Sequence, residues 1–159
     1  MIARQNTRIR QGNIQDLQVF YNMLKKQNKN CKPFYYYYNM LSNGNTLKNN
    51  IKLYVAENKE EKIISGGIFI SYSNYTECLV TAAEDTVDTE NANLLLHWTV
   101  LEKTWDNGID IYKISTANDI CKDFKMQELN NTQNWEIVFD AIGYIYFKCF
   151  KKLNHNFNL

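Results

Sequence analysis

The chain has 159 residues, 45% of them hydrophobic, which suits one globular core and is too few for two ordinary domains. Its 18 basic and 17 acidic side chains give a formal net charge of +1, which excludes a general affinity for DNA and requires any basic surface to be local. The sequence has no apolar run that could cross a membrane or act as a secretory signal, so it predicts an intracellular, cytoplasmic protein.

The cysteines are widely spaced and form no C-x-x-C pair, which argues against a zinc site and against a disulfide framework. We therefore expect reduced, mostly buried thiols and no bound metal. The four positions are Cys31, Cys78, Cys121 and Cys149.

Two helices are predicted before the first clear strand. In "GNIQDLQVFYNMLKKQ", Ile14, Leu17 and Leu24 share one helical face, and Asn13 suits the N-cap. Pro33 opens a second helix through "FYYYYNML", which ends at "SNGN".

A three-strand antiparallel meander is predicted over residues 51–84, as "IKLYVAEN", "IISGGIFISYS" and "TECLVTAAE" joined by the short turns "KEEK" and "NY". Gly66 and Gly67 lie inside the second strand. Because glycine weakens a strand, the pair indicates a bulge or a close approach of backbones.

A long helix follows the polar loop "EDTVDTENAN", with Asn91 and Asn93 as candidate caps and Gly108 as its C-terminal stop. Its expected buried stripe consists of Leu94, Trp98, Leu101 and Trp105. The strand "IDIYKIS" comes next.

The rest of the chain is less strongly patterned. Residues 116–134 are polar and predict a long loop, and "WEIVFD" predicts a strand. The segment "GYIYFKCFKKLN" fits either a last strand or a short basic helix, of which we favour the helix.

This element order resembles the GNAT acyltransferase fold. More narrowly, the chain resembles the FemABX-type peptidoglycan-bridge aminoacyltransferases and their single-domain acetyltransferase relatives. The matching features are Ala56 with Glu57, the two strand glycines, "NANLLLHW", Gly108, and Phe124 with Lys125. The resemblance implies an α+β, GNAT-like fold with a mixed, mostly antiparallel sheet flanked by helices. It also implies one domain over residues 1–159, similar to the second FemABX domain.

The activity that the resemblance implies is amide-forming N-acyl transfer, with an aminoacyl or acyl group passing to a small-molecule or peptide-like amine. The donor would be an aminoacyl-tRNA or an acyl-CoA, so tRNA is an implied partner, and a homodimer remains open. The sheet would part between "TECLVTAAE" and "IDIYKIS", leaving backbone N–H groups for an acyl carbonyl. The implied catalytic residues are Lys125, Glu84 and His97. The implied substrate-binding residues are Val80, Thr81, Ala82, Asn91, Asn93, Phe124 and Tyr112.

Each site residue also has a simpler interpretation. Lys125 fits a solvated loop lysine, Glu84 a surface carboxylate, and His97 a buried, hydrogen-bonded packing residue. The cluster "FYYYY" fits either a ligand platform or a helix with some rings in the core.

Departures from the family leave other functions open. The loop "EDTVDTENAN" is acidic and lacks glycine, which disfavours the pyrophosphate of coenzyme A. The arginine that the family has shortly before the second helix is not found in "KKQNKNCKPF", and there is no room for the first FemABX domain. A non-catalytic GNAT-like binding module is one alternative. An acetyl-CoA-dependent N-acetyltransferase with an atypical pyrophosphate loop is another.

Overall fold

A computed structural model describes residues 7–28, 30–42, 50–72, 74–85, 87–109, 111–114, 127–129 and 134–138. The elements are β1 (Arg8–Gln11), α1 (Asp16–Gln27), α2 (Phe34–Ser42), β2 (Ile51–Glu57), β3 (Ile63–Tyr72), β4 (Tyr75–Ala83), α3 (Val87–Asp106), β5 (Ile111–Ile114), β6 (Gln127–Leu129) and β7 (Asn134–Val138). Phe124, Lys125, Cys121, Cys149 and the segment "GYIYFKCFKKLN" lie outside the described residues.

In these parts of the chain the strands form one sheet in the order β1-β2-β3-β4-β5-β7-β6. Only the β4–β5 pair is parallel among the pairings described, so the sheet is mixed and mostly antiparallel. Alternate residues of β2 divide the core: Leu53 and Val55 pack with α1 and α2, whereas Tyr54 packs with α3. The predicted α+β fold, with helices flanking the sheet, is confirmed.

The N-terminus of α1 carries a reciprocal cap. Regular helix begins at Asp16, but the Asn13 Oδ1 accepts hydrogen bonds from the N–H groups of Gln15 (2.8 Å) and Asp16 (3.1 Å). The Asp16 carboxylate accepts the Asn13 N–H in return at 2.7 Å. The predicted cap is therefore confirmed, and it fixes the direction in which α1 leaves β1.

The two glycines of β3 leave room for neighbouring side chains and do not form a bulge. A Cβ on Gly66 would lie 2.8 Å from Cδ2 of Phe20, and one on Gly67 would lie 2.9 Å from both Phe69 and Thr81. The irregularities of β3 fall elsewhere, at its pairing with Ala56/Glu57 and at Ile68/Phe69. The close approach is therefore not the expected one between backbones, because the nearest atoms belong mainly to side chains, those of Phe20, Phe69 and Thr81.

The N-terminal half of α3 corrects one prediction. The helix begins at Val87, so Asn91 and Asn93 lie inside it and do not cap it. Ala92 is fully buried against β2 and β3, next to Ala56 and Ile64. Packing at Ala92 holds this turn on the sheet and outweighs the low helix propensity of asparagine.

The predicted stripe of α3 is also only partly correct. Leu101 is buried, but Leu94, Trp98 and Trp105 are half-buried. The face on the sheet includes the polar residues His97 and Thr104, which a search for apolar spacing misses, together with Ala92, Leu96, Val100 and Leu101. Thr104 is accommodated because its hydroxyl donates to the Val100 carbonyl at 2.8 Å.

Gly108 ends α3 as predicted. Its φ is +72°, a left-handed conformation that glycine adopts without strain. The N–H of Gly108 donates to Trp105 O at 2.9 Å, and that of Ile109 donates to Thr104 O at 3.1 Å, which is the Schellman pattern.

Two strands were not predicted. β1 lies in the basic N-terminal segment, and β6 lies within residues 116–134, where a loop was expected. They occupy the two edges of the described sheet. An edge strand pairs on one side only and can remain polar, so neither sequence shows the apolar alternation of an inner strand.

Candidate functional site

A bulge interrupts β4 in its middle. Ile68 of β3 pairs with Val80 and Phe69 pairs with Cys78, so Leu79 is an extra residue on β4. A bulge bends its strand and re-aims the residues that follow it. Here those residues are the predicted substrate-binding positions Val80, Thr81 and Ala82.

The strand direction of β4 determines which backbone groups face its outer edge. The Glu84 N–H donates to Ile64 O of β3 at 2.8 Å. Along an antiparallel strand the N–H and C=O groups of successive residues point to alternate sides. The backbone groups of Val80 and Ala82 therefore also point towards β3, and those of Thr81 and Ala83 point towards the opposite edge. On that edge, the described pairing with β5 runs from Tyr75 to Cys78 and not further.

A side chain of α1 binds to this outer edge. The Gln27 Nε2 donates to the Ala83 carbonyl at 2.9 Å, and the Ala83 N–H donates to Gln27 Oε1 at 3.3 Å. The carboxamide therefore pairs with Ala83 as a neighbouring strand would. Gln27 was not predicted as a site residue, because the two positions are 56 residues apart and no sequence pattern links them.

Glu84, a predicted catalytic residue, lies directly after β4. Its carboxylate accepts a hydrogen bond from Lys62 Nζ at 2.8 Å, and its side chain is 27% exposed. It is thus a partly exposed carboxylate directly after β4, held by a cation that precedes β3. The loop from β4 to α3 is short and carries a second acidic residue, Asp85, and no glycine.

His97 and Tyr112 meet inside the protein. Both side chains have zero exposure, and His97 Nδ1 lies 2.6 Å from the Tyr112 hydroxyl. Burial lowers the pKa of His97 to about 4, so the ring is neutral at pH 7. Its Nε2 is buried with no hydrogen-bond partner among the residues described. The contact joins α3 to β5, where Tyr112 pairs with Thr76 of β4.

The two asparagines of α3 occupy different environments. Asn91 is exposed, whereas Asn93 is half-buried and faces β3. The Ser65 hydroxyl lies 3.3 Å from both Asn93 Oδ1 and the Ala82 carbonyl, so it connects α3 to β4. The structure thus brings Asn93 close to Ala82, one of the predicted binding residues.

An ion-pair network anchors the far edge of the sheet. Arg10 of β1 donates from Nη1 to Asp16 at 2.7 Å and from Nε to Glu57 at 2.7 Å. The hydrogen bond from Arg10 holds the pKa of Asp16 below its usual value. Glu57, at the end of β2, is buried and bound to Arg10. This network is structural.

A small recess lies between the sheet and the last turns of α3. It has a volume of about 30 Å³, enough for roughly one water molecule. Lys103 Nζ lies 4.8 Å from the centre of the Tyr54 ring in its wall, and Ser71 and Thr76 share a hydroxyl hydrogen bond of 2.9 Å. The recess is too small for a substrate.

In the described residues, no three His, Cys, Asp or Glu side chains come together to hold a metal ion. No helix in these parts of the chain is long and apolar enough to cross a membrane.

The fold is similar to those of solved N-acetyltransferases. One is a GNAT-family acetyltransferase of Staphylococcus aureus, with a TM-score of 0.65 and 13% identity, covering 84% of this chain and 99% of that one. Another is a spermidine N-acetyltransferase variant of Vibrio cholerae, with a TM-score of 0.62 and 13% identity, covering 84% and 94%. A third, from Brucella melitensis with bound acetyl-CoA, has a TM-score of 0.64 and 11% identity, covering 85% and 89%.

The sequence matches no protein-family model and no curated protein. The structural similarities establish that the chain has the GNAT fold.

Proposed function

We propose that this chain is an N-acyltransferase that binds an acyl donor along the outer edge of β4 and transfers the acyl group to an amine. The observation that carries the proposal is the bulge at Leu79, beyond which Thr81 and Ala83 direct backbone groups away from β3. The GNAT fold of solved N-acetyltransferases supports it. We also propose that residues 1–159 act as one domain.

In this proposal the Thr81 N–H donates to the acyl carbonyl oxygen, which becomes negative as the amine attacks. The new C–N bond forms, the bond from the acyl carbon to the donor's sulfur or oxygen breaks, and the amine loses a proton. Glu84 is the proposed base, directly or through a water molecule, and it must first exchange its contact with Lys62. Lys125 is the second proposed catalytic residue, and Phe124 remains a proposed binding residue.

His97 and Tyr112 take a different part in the proposal. Their side chains have no exposed surface, so they hold α3 against β5 and do not touch the substrate. Val80 and Ala82, whose backbones face β3, would position the strand, and Asn93 would do so through Ser65.

The donor class is a finer proposal. Glu84 and Asp85 occupy the loop where a pyrophosphate would approach the N-terminus of α3, and like charges would repel there. This favours an aminoacyl ester such as the aminoacyl-tRNA of FemABX-type enzymes. Acetyl-CoA is the competing donor, because a solved structure with this fold binds it.

A non-catalytic binding module is the second candidate. The observation in its favour is that Glu84 is held by Lys62 and that Ala83 is already paired with Gln27. A chain that had kept the fold without the activity would need neither an unpaired carboxylate as base nor an unpaired edge on β4.

Thermal-shift titration separates these candidates. A donor that binds only the folded state raises the melting temperature, by an amount that grows with its concentration. We expect a rise with aminoacyl-tRNA that exceeds the rise with uncharged tRNA. A rise with acetyl-CoA alone would replace the proposed donor, and no rise with any of these ligands would sink the acyltransferase proposal.

A further inference from the structure

The small recess beside the last turns of α3 is lined mainly by polar side chains. Lys52 and Tyr54 of β2, Ser71 of β3, Thr76 of β4 and Lys103 of α3 all contribute to its wall. Lys52 is two residues from Tyr54 along β2, so both side chains lie on the face of the sheet that α3 covers. The recess therefore brings together side chains from three strands and one helix.

Two lysines line this recess without a matching carboxylate. None of the described residues in its wall is Asp or Glu, and neither Lys52 nor Lys103 forms an ion pair within the described parts of the chain. Lys103 Nζ lies 4.8 Å from the centre of the Tyr54 ring, a cation–π contact that stabilises it. Lys52 is half-buried and has no such partner among these residues. A bound anion would supply the negative charge that the wall lacks.

The hydroxyl groups of the recess offer hydrogen-bond donors. The Ser71 and Thr76 hydroxyls lie 2.9 Å apart, so one donates to the other and the hydrogen of the accepting hydroxyl stays available. The Tyr54 hydroxyl has no hydrogen-bond partner among the described residues. Available donors and two cations together suit a ligand that only accepts hydrogen bonds.

The last carbonyls of α3 lie close to the recess. Unpaired carbonyls at the C-terminus of a helix would repel an anion. The carbonyl of Lys103 accepts the Asn107 N–H at 3.1 Å, and that of Thr104 accepts the Ile109 N–H at 3.1 Å. These carbonyls are therefore already hydrogen-bonded.

We propose that this recess binds a phosphate group. The recess holds roughly one water molecule, so one phosphate oxygen would enter it and accept a hydrogen bond from a hydroxyl. The other oxygens would stay at the mouth, where Lys52 and Lys103 would donate to them. A phosphate group has three acceptor oxygens that point in different directions, whereas a carboxylate has two in one plane. The phosphate therefore fits donors that lie at different depths.

The recess is separate from the proposed acyl site. Thr76 lies near the start of β4, and Thr81 lies beyond the bulge at Leu79. Five residues of strand span roughly 17 Å. Binding of phosphate in the recess requires no acyl transfer, so either proposal can fail alone.

NMR titration with inorganic phosphate tests this, at constant ionic strength and at a pH where phosphate is mainly a dianion. The backbone amide signals of Ser71, Thr76 and Lys103 should shift and saturate, while signals of α2, on the other side of the sheet, should not. Lys52→Gln and Lys103→Gln should each weaken binding roughly threefold to fivefold. Tyr54→Phe should weaken it about fivefold or more, because only the hydroxyl is removed.

Matched controls lie elsewhere on the surface. Lys59 is exposed in the turn after β2, and Tyr35 is 65% exposed on α2. Lys59→Gln and Tyr35→Phe should bind phosphate as the unchanged protein does. Thermal unfolding checks that each variant is folded, and Tyr54→Phe decides the test if a lysine variant is not.

A phosphomonoester such as glycerol phosphate separates two sources of the group. Tighter binding than that of inorganic phosphate assigns a phosphorylated ligand, and weaker binding assigns the free ion. Shifts that do not saturate, or equal shifts on α2, would overturn the proposal. So would malonate or chloride binding as tightly as phosphate, or unchanged affinity in the folded recess variants.

Discussion

The side chain of Gln27 and the backbone of Ala83 form a two-bond pair, with N···O distances of 2.9 and 3.3 Å, across 56 positions of the chain. A carboxamide presents the same donor and acceptor as a peptide group. Gln27 therefore occupies the last backbone pair of the outer β4 edge as a strand would, and it marks where an extended ligand carrying an amide would have to compete.

Removing this carboxamide should free the edge at little cost. We expect Gln27→Ala to lower the free energy of unfolding by roughly 0.5–1 kcal/mol and to speed hydrogen exchange at the Ala83 amide. Gln18→Ala is the control, because Gln18 bonds only its helix neighbour Asn22 among the contacts described. Equal exchange at Ala83 in both variants would show that the pair does not form in solution.

The Arg10 network should matter more than an ordinary surface ion pair. Arg10→Met leaves Glu57, whose side chain is only 8% exposed, without its cation. Because Arg10 itself is 29% exposed, we expect a loss of about 2 kcal/mol, below the cost of breaking a fully buried pair. Denaturant unfolding measures this, with Arg8→Met, an exposed neighbour in β1, as the control. Equal losses would contradict the structural role of the network.

The Arg10–Asp16 contact should also make the stability of the protein depend on pH in the acid range. The folded-state pKa of Asp16 is lowered, chiefly by its hydrogen bond from Arg10. The contribution of Asp16 to the free energy of unfolding is therefore present above its unfolded pKa of about 3.9. It is lost as the pH falls through the lower pKa of the folded state. Stability between about pH 4 and pH 2 should fall less steeply in Arg10→Met than in the unchanged protein. Identical slopes would exclude this linkage.

Protonation of His97 in the unfolded state should destabilise the folded protein between pH 7 and pH 5, above the range in which Asp16 acts. Its pKa is about 4 when folded, against about 6.5 when unfolded, so the unfolded state binds the proton first as pH falls. Stability should drop by about 2 kcal/mol between pH 7 and pH 5. Denaturant unfolding of His97→Gln should lack this drop, while Tyr112→Phe should keep it. A drop unchanged in His97→Gln would assign it to another group.

Gly66 should tolerate no side chain. Its added Cβ would meet Phe20, which is fully buried, at 2.8 Å, so Gly66→Ala should cost about 1–3 kcal/mol. Gly108→Ala should cost about 1 kcal/mol for a different reason, its φ of +72° in open space. Phe20→Leu should recover part of the loss in Gly66→Ala and none in Gly108→Ala. If the losses of stability in Gly66→Ala and Phe20→Leu simply added in the double variant, the contact between the new Cβ and Phe20 would be ruled out.

The sequence predicts those elements whose burial follows a regular period. The inner strands β2, β3 and β4, the Asn13 cap and the Gly108 stop are all found where the pattern indicates them. The edge strands β1 and β6 were missed, because pairing on one side requires no apolar alternation.

The candidate site was predicted on β4, but the contacts that the structure shows there were not predicted. The resemblance directed attention to Thr81 and its neighbours, which follow the bulge of β4. Gln27 could not be found, since its partner is defined only by folding. His97 was open to two interpretations, and its full burial favours the packing one, because a polar ring on a helix face can be satisfied by a residue such as Tyr112 from another element.

The central claim is tested most directly by measuring an acylated amine by mass spectrometry. The protein would be incubated with aminoacyl-tRNA or acetyl-CoA and with spermidine or a short peptide as acceptor. The Thr81 N–H faces away from β3, so Thr81→Pro removes it without breaking that ladder, and Thr81→Ala keeps it. We predict product with the unchanged protein and with Thr81→Ala, and a rate roughly 100-fold or more lower with Thr81→Pro. Absence of product with both donors, or equal rates in the two variants when both are folded, would contradict the account.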